Sequence, residues 1–381
     1  MKPIQFLQSF NESRIVFTAF LVIFAISLNS CKKDHPPVIE KYEPTLPATL
    51  YNYSNISLPA SFTSSPMNFF NSISNSNPIT DAGATLGRVL FYDRQLSRNN
   101  KVSCSSCHQQ EFAFANNTSF SKGLYNEQTA RNSMAIINTR FSFRFFWDLR
   151  SVTMENQVLE PIKNHVEMDM TLEEVVEKVK SISYYPGLFQ QAFGTTEVSS
   201  QRISYALSQF LHSMVSYQSK YDQGVENNFA DFTQLELDGK DLFFSGTVNC
   251  NHCHFTVNFF GNQPAVNGLD ANYTDNGIGT ITGDPADNGK FKIPTLRNIE
   301  MTAPYMHDGR FSTLEEVVEH YNSGIQPHPN LDDRLTVEGQ IGGTPKHYNM
   351  TAYQKQSLVA FLKTLTDHSF LTDVRFSDPF K

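Results

Sequence analysis

Five cysteines, Cys31, Cys104, Cys107, Cys250 and Cys253, are the residues of this 381-residue chain best suited to chemistry. Four of them form two C-x-x-C pairs, each followed at once by histidine: "CSSCH" (Cys104–His108) and "CNHCH" (Cys250–His254). Cysteine and histidine in this mixture suit zinc, a redox disulfide or covalently attached haem. Paired zinc knuckles lie about 15–20 residues apart, and a thioredoxin-like C-x-x-C sits in a βαβ context. Here the pairs are much further apart and no βαβ pattern surrounds them. C-x-x-C-H is the attachment signature of c-type haem: the thiols add to the porphyrin vinyl groups and the histidine is held against the iron. Two copies in one chain point to two haems, anchored by Cys104 and Cys107 with His108, and by Cys250 and Cys253 with His254. His252, between the second pair of thiols, reads as an exposed bystander.

Cys31 has a different context. Lys2 and Arg14 precede the apolar run "IVFTAFLVIFAISL" (Ile15–Leu28), and "NSC" follows. A basic start, a short apolar run and a small residue before the cleavage point describe an export signal. The run is shorter than the ~20 residues of a spanning helix. Leu28, Ser30 and Cys31 resemble a bacterial lipoprotein signal, in which the cysteine is lipidated; an ordinary signal with an incidental cysteine is the plainer alternative. Export suits haem c, which is attached outside the cytoplasm. The expected location is the periplasm, tied to the membrane only through that lipid.

The elements that must hold these residues read as mainly helical. Residues 1–30 are the signal, and 31–78, rich in Pro, Ser and Asn, an irregular tether. The folded part is expected to begin near Ala84, in "ATLGRVLFYDRQLS". "TLEEVVEKVKSI" (Thr171–Ile182) opens with a Thr171/Glu174 capping box and places Leu172, Val175, Val176 and Val179 at helical spacing. "SQRISYALSQFLHSMVSY" (Ser200–Tyr217), "TLEEVVEHY" (Thr313–Tyr321) and "TAYQKQSLVAFLKTL" (Thr351–Leu365) are further helices. No alternating strand pattern occurs. The expected architecture is two cytochrome c-like haem domains with an interface between them, spanning 79–228 and 229–367, and a tail over 368–381. The formal charge of −8 makes nucleic acid an unsuitable partner and is compatible with a basic electron donor.

Nine stretches in order, "LGRVLFYDRQLS", "SCSSCH", "ARNSMAIIN", "FFWDLR", "ENQ", "NHVEM", "CNHCH", "IPTLRN" and "APYMHDGRFSTLEEVV", resemble the bacterial dihaem cytochrome c peroxidases, including their MauG-like branch. The likeness covers about Leu86 to Asp367. It implies a peroxide-reducing haem on His108 and an electron-entry haem on His254. It further implies that Trp147, the only tryptophan in the chain, lies between the haems, and that Gln157 and Glu167 line the peroxide pocket. Asn132, Thr302 and Pro304 match positions that bind calcium, for which an amide oxygen and carbonyls are suitable ligands. Each has a plainer reading: Trp147 as a core aromatic, Glu167 as a solvated carboxylate, Gln157 as structural. His165 is either a supporting group near Glu167 or a surface residue.

Two departures from the family pattern bear on function. Many members carry a histidine about seven residues before the "RN" motif, which caps the peroxidatic iron; here that place is Leu124, so an open distal position is expected. The peroxidases place a methionine ligand in the helix after "HDG"; here the position is Tyr321, as in the MauG-like branch, with Met306 and His320 as competitors. Phenolate is a hard anionic donor, so it favours ferric iron relative to thioether. The expected activity is reduction of hydrogen peroxide with electrons from a small reduced cytochrome c or cupredoxin. The alternatives are a MauG-like oxidase of a protein side chain and a plain dihaem electron carrier. The resemblance also allows a homodimer.

Overall fold

The computed structural model describes residues 42–381, of which Glu43–Lys381 form one compact unit. The signal segment and Cys31 therefore lie outside the described residues. Among the described residues eight helices run six residues or more: α1 (Asp81–Tyr92), α2 (Leu172–Ser181), α3 (Tyr185–Phe193), α4 (Ser200–Ser213), α5 (Lys220–Asn227), α6 (Gln234–Phe244), α7 (Leu314–Glu319) and α8 (Ala352–Lys363). Single turns and loops connect them, and β pairing among the described residues is confined to isolated bridges. None of their helices is long and apolar enough to cross a membrane.

Two helix pairs organise two hydrophobic cores. In the first, α1 crosses α4 at Gly87, where a Cβ would collide with the Ala206 carbonyl. This close approach lets Leu86, Val89, Leu90 and Phe91 pack on Ala206, Leu207 and Phe210 in one cluster. In the second, α6 crosses α8 at Gly239, against the Ser357 carbonyl. Phe243, Phe259, Phe361 and Leu365 fill the core beside it. Side-chain caps start these helices as the sequence dictates. Thr171 with Glu174, Thr233 with Glu236, Thr313 with Glu316 and Thr351 with Gln354 all form reciprocal capping boxes, satisfying N–H groups the helix leaves unpaired.

Three expectations are corrected. The apolar pattern of α4 runs on to Tyr217, yet the helix stops at Ser213. Beyond it the backbone is claimed by buried side chains: Asn138 Oδ1 accepts from Ser216 N–H at 2.7 Å, and Asp367 Oδ2 accepts from Tyr217 and Gln218 N–H at 3.0 and 2.9 Å. Helix α7 ends at Glu319 and continues as a π turn over His320–Gly324.

The third correction concerns the chain's ends. Residues 43–80 are irregular, as their composition suggests, but they are not a free tether. Tyr53 is 1% exposed within the first core; its hydroxyl donates to Arg375 O at 2.6 Å, while Asp81 accepts from Tyr53 and Ser54 N–H. Phe62 and Met67 join Phe141, Val215 and Phe260 in a separate cluster. The tail is equally integral: Phe370 and Phe376 belong to the first core, and Tyr92 and Arg88 donate to Phe376 O and Ser377 O, each at 2.6 Å. The folded body thus includes residues from about 43 on, some forty residues before Ala84, because aromatic side chains spaced through a polar segment find a core built by later residues.

Candidate haem sites

Cys104–Ser106 form one 3₁₀ turn, which brings His108 N–H within 3.0 Å of the Cys104 carbonyl. The chain then folds back through Ala113 and Phe114, both at positive φ, so that the Phe114 carbonyl lies 2.8 Å from His108 Nδ1. The second motif repeats this design: His254 N–H donates to Cys250 O at 3.1 Å, and His254 Nδ1 lies 2.9 Å from the carbonyl of Phe259, again at positive φ. A carbonyl can only accept, so Nδ1 carries the proton and Nε2 is left with its lone pair, as an iron-binding histidine requires.

Cys104, Cys107 and His108 line one cavity, and Cys250, Cys253 and His254 line another. Neither cysteine pair is joined as a disulfide. Because the pairs open into different cavities, they cannot combine in one four-thiolate zinc centre, and no cluster of three or more potential ligands occurs among the described residues. Burial pushes the Cys104 and Cys250 thiols up to about 12 and those of Cys107 and Cys253 to about 11, so they are held protonated rather than poised as thiolates. Burial also lowers His254 to about 4 and moves His108 in the same direction, which keeps both imidazoles neutral. Unbridged thiols beside a neutral histidine with its free nitrogen toward a cavity fit haem c at both places.

Trp147 lines both cavities. Its indole N–H donates to Asn132 O at 2.9 Å, and its own carbonyl accepts from Lys292 N–H at 2.8 Å, so the two halves of the chain grip it from either side. Glu167 and Gln157 line the His108 cavity. Asn164 shapes the Glu167 loop, its carbonyl accepting from the N–H groups of Glu167, Met168 and Asp169 at 2.9–3.1 Å. Among the described residues no protein donor bonds the Glu167 carboxylate. Burial raises its pKa, and the Arg150 guanidinium partly opposes that rise. Arg150 is itself bound to Asp148 and stacked 3.5 Å over the Phe146 ring.

A family model described as di-haem cytochrome c peroxidase matches residues 81–229. Cytochrome c551 peroxidase of Nitrosomonas europaea is 34% identical over 296 residues, 74% of this chain and 79% of that protein. Methylamine utilization protein MauG of Methylorubrum extorquens is 32% identical over 305 residues, 76% of this chain and 80% of that protein. The chain belongs to the di-haem cytochrome c peroxidase family. A solved MauG-like protein associated with microbial copper homeostasis superposes with a TM-score of 0.76 at 34% identity, covering 86% of this chain and 99% of that one. The diheme peroxidase BthA of Burkholderia thailandensis shares the fold, with a TM-score of 0.64 at 22% identity. Membership of this oxidoreductase family implies two c-type haems, which the two Cys-His loops suit.

Within that family frame, the structure distributes the other expected residues unevenly. His108 is the only histidine among the described residues lining its cavity. Leu124 is buried in the first core instead, and its N–H donates to Val166 O at 2.7 Å; where a capping histidine was looked for, the chain braces the Glu167 loop. His165 lies away from the cavity, largely exposed, against Tyr125 and Asp169. Tyr321 and Met306 both line the His254 cavity, and Tyr321 is carried by the π turn, a distortion common at functional sites. His320 is engaged elsewhere, its Nε2 3.1 Å from Asn267 O. Asn132, Thr302 and Pro304 share the wall of that same cavity; the Asn132 amide N–H donates to Thr118 O, leaving its oxygen for another partner. His252 is exposed.

Three residues escaped the sequence reading. Lys292 lines both cavities, donates to Ser142 Oγ and Arg144 O at 2.8 Å each, and is lowered to about 8 by burial; its place directly before "IPTLRN" was the available signal. Arg131 joins the halves through a two-pronged pair with Asp275 at 2.6 and 2.8 Å. Tyr348 lines the His254 cavity, and nothing in its local sequence marks it.

Proposed function

We propose that this chain reduces hydrogen peroxide to water in the His108 cavity and receives the electrons in its second half, around His254, from a small external carrier such as a reduced cytochrome c or cupredoxin. The observation that carries the reading is the His108 cavity itself: a half-buried carboxylate at Glu167, bonded by no donor among the described residues, faces it, Gln157 shares its wall, and no second described histidine lines it. Haem c, when bound, supplies the redox chemistry; the protein supplies ligation, proton handling and access. Glu167 takes a proton from the near oxygen of peroxide and returns it to the far oxygen, so that the departing atom leaves as water. Its raised pKa suits that exchange, since a carboxylate poised closer to neutrality both accepts and gives. The Gln157 amide orients the peroxide. Trp147, touching both cavities, spans the path between them.

The same reading gives Tyr321 the distal place opposite His254, assigns Asn132, Thr302 and Pro304 to a calcium ion between the two haem domains, and anchors the exported chain in the periplasm through lipid on Cys31. A homodimer is compatible with it. The phenol of Tyr321 favours a second reading, a MauG-like oxidase that withdraws electrons from a protein side chain. One experiment separates them. Residues 32–381, loaded with haem and fully oxidised, are mixed with peroxide and reduced cytochrome c. Rapid oxidation of the cytochrome without prior reduction of the enzyme is expected. A long-lived spectral change with no cytochrome oxidation would favour the protein-oxidising reading, and no spectral response would overturn the open His108 site.

A further inference from the structure

The His254 cavity contains a polar group that the proposed reaction does not use. The hydroxyl of Tyr348 is buried there with no hydrogen-bond partner among the described residues. A hydroxyl removed from water and left unbonded is unfavourable, so such a group in a ligand cavity points to an acceptor that the ligand brings. The surroundings hold the ring in place. Tyr348 N–H donates to Asn322 O at 2.9 Å, and Met350 N–H donates to Asn322 Oδ1 at 2.7 Å. The segment is thereby stitched to the π turn at the residue after Tyr321. Both tyrosines pack against the small cluster of Ile325, Leu331 and Leu335. Two phenols therefore share one wall of this cavity, one with Asn267 beside it and the other without any partner.

We propose that Tyr348 is a positioning residue of the second haem site, donating its O–H to an oxygen that is anionic in the cavity only when haem is bound. That oxygen is either the phenolate of Tyr321 or a haem propionate; both are negatively charged acceptors and both respond alike. A donor drawing density from such an oxygen weakens its stabilisation of ferric iron and so raises the haem's reduction potential. The inference rests on the haem reading of this cavity and, for the first acceptor only, on Tyr321 as ligand.

The test uses residues 32–381 carrying both haems, with Tyr348→Phe and Tyr348→Leu as two variants that lose the donor but differ in shape. Haem content, the visible spectrum and the midpoint potential of each haem are read by spectroelectrochemical titration. The expected result is two haems per chain and a lower potential at the His254 haem in both variants, with the His108 haem unchanged. Repeating Tyr348→Phe in a Tyr321→Phe background identifies the acceptor: the shift disappears if it is the phenolate and persists if it is a propionate. Unchanged potentials would overturn the proposal. So would a shift in only one variant, which would be packing, or loss of the axial-ligand spectrum on removing Tyr348 alone, which would make Tyr348 the ligand itself. Peroxide turnover is not part of the readout, so failure here leaves the proposed reaction standing.

Discussion

Glu167 can be an acid–base group here because it lines a cavity, half-buried and with no bonded donor among the described residues, while Arg150 is near enough to keep it ionisable. Replacing it with glutamine keeps the shape and removes the proton exchange. Glu167→Gln is expected to lower peroxide turnover by roughly 10²–10⁴-fold with both haems retained, measured by steady-state oxidation of a reduced cytochrome. The acid limb of the wild-type pH profile should lie above the ordinary carboxylate range, since burial raises this group, and the variant should lack that limb. Stability follows the same sign. A carboxylate whose folded pKa is raised destabilises the native state above that pKa, and the penalty fades as pH falls toward the unfolded value. The variant should therefore match or exceed wild type in thermal stability at neutral pH, with the difference closing in acid. At this scale the sequence was legible where chemistry is contiguous: His108 and His254 follow their cysteines directly. Glu167 needed the family pattern, because an isolated glutamate in a connecting loop reads equally well as solvated. Tyr348 was illegible, and Lys292 legible only as the neighbour of "IPTLRN", since what defines them is proximity to residues far away in the chain.

The helices carry the two cavities through a shared device, a glycine that lets a pair of helices cross closely. Adding one methyl at Gly239 drives α6 off α8 at the Ser357 carbonyl. Gly239→Ala should cost about 1–3 kcal/mol and loosen the His254 site, whereas Gly87→Ala should act on α1, α4 and the His108 site. Differential scanning calorimetry with separate monitoring of the two haem spectra would check the pairing. The capping boxes were readable because a cap is a local contract between residues three apart; Thr351→Ala should cost about 1 kcal/mol in a denaturant titration. The end of α4 was not readable, because the groups that stop it, Asn138 and Asp367, lie tens to more than a hundred residues from Ser216. The π turn after α7 is similar: nothing in "EEVVEHYNSG" forbids another ordinary helical turn, and the deviation is fixed by tertiary bonds such as that from His320 to Asn267.

Across the whole molecule the halves are variations on one plan. "FFWDLRS" (Phe145–Ser151) and "YMHDGRF" (Tyr305–Phe311) occupy equivalent bridged turns, Phe145 paired with Ser151 and Tyr305 with Phe311, and Trp147 in one stands where His307 stands in the other. Asn138 and Asn298 are likewise both left-handed, each opening a 3₁₀ turn, and both join the buried polar node around Ser216 and Asp367. Asp367→Ala would strip that node of the acceptor for Tyr217 and Gln218 N–H, and should destabilise the chain by about 1–3 kcal/mol for each donor left buried and unbonded, measured by chemical denaturation. The symmetry breaks at the ends, where residues 368–381 pack on the first half and residues 43–80 pack on it while also reaching Phe260 of the second. Deleting 368–381 should therefore disturb the His108 haem spectrum and leave the His254 haem nearly intact, although the deleted residues follow the second half in sequence. That arrangement also sets an order of assembly. Phe370 and Phe376 are made long after Cys104, and the core that Cys104 packs against is incomplete until they arrive. The first Cys-His motif thus waits in an unfinished core until these later residues dock, which leaves its thiols accessible for that interval.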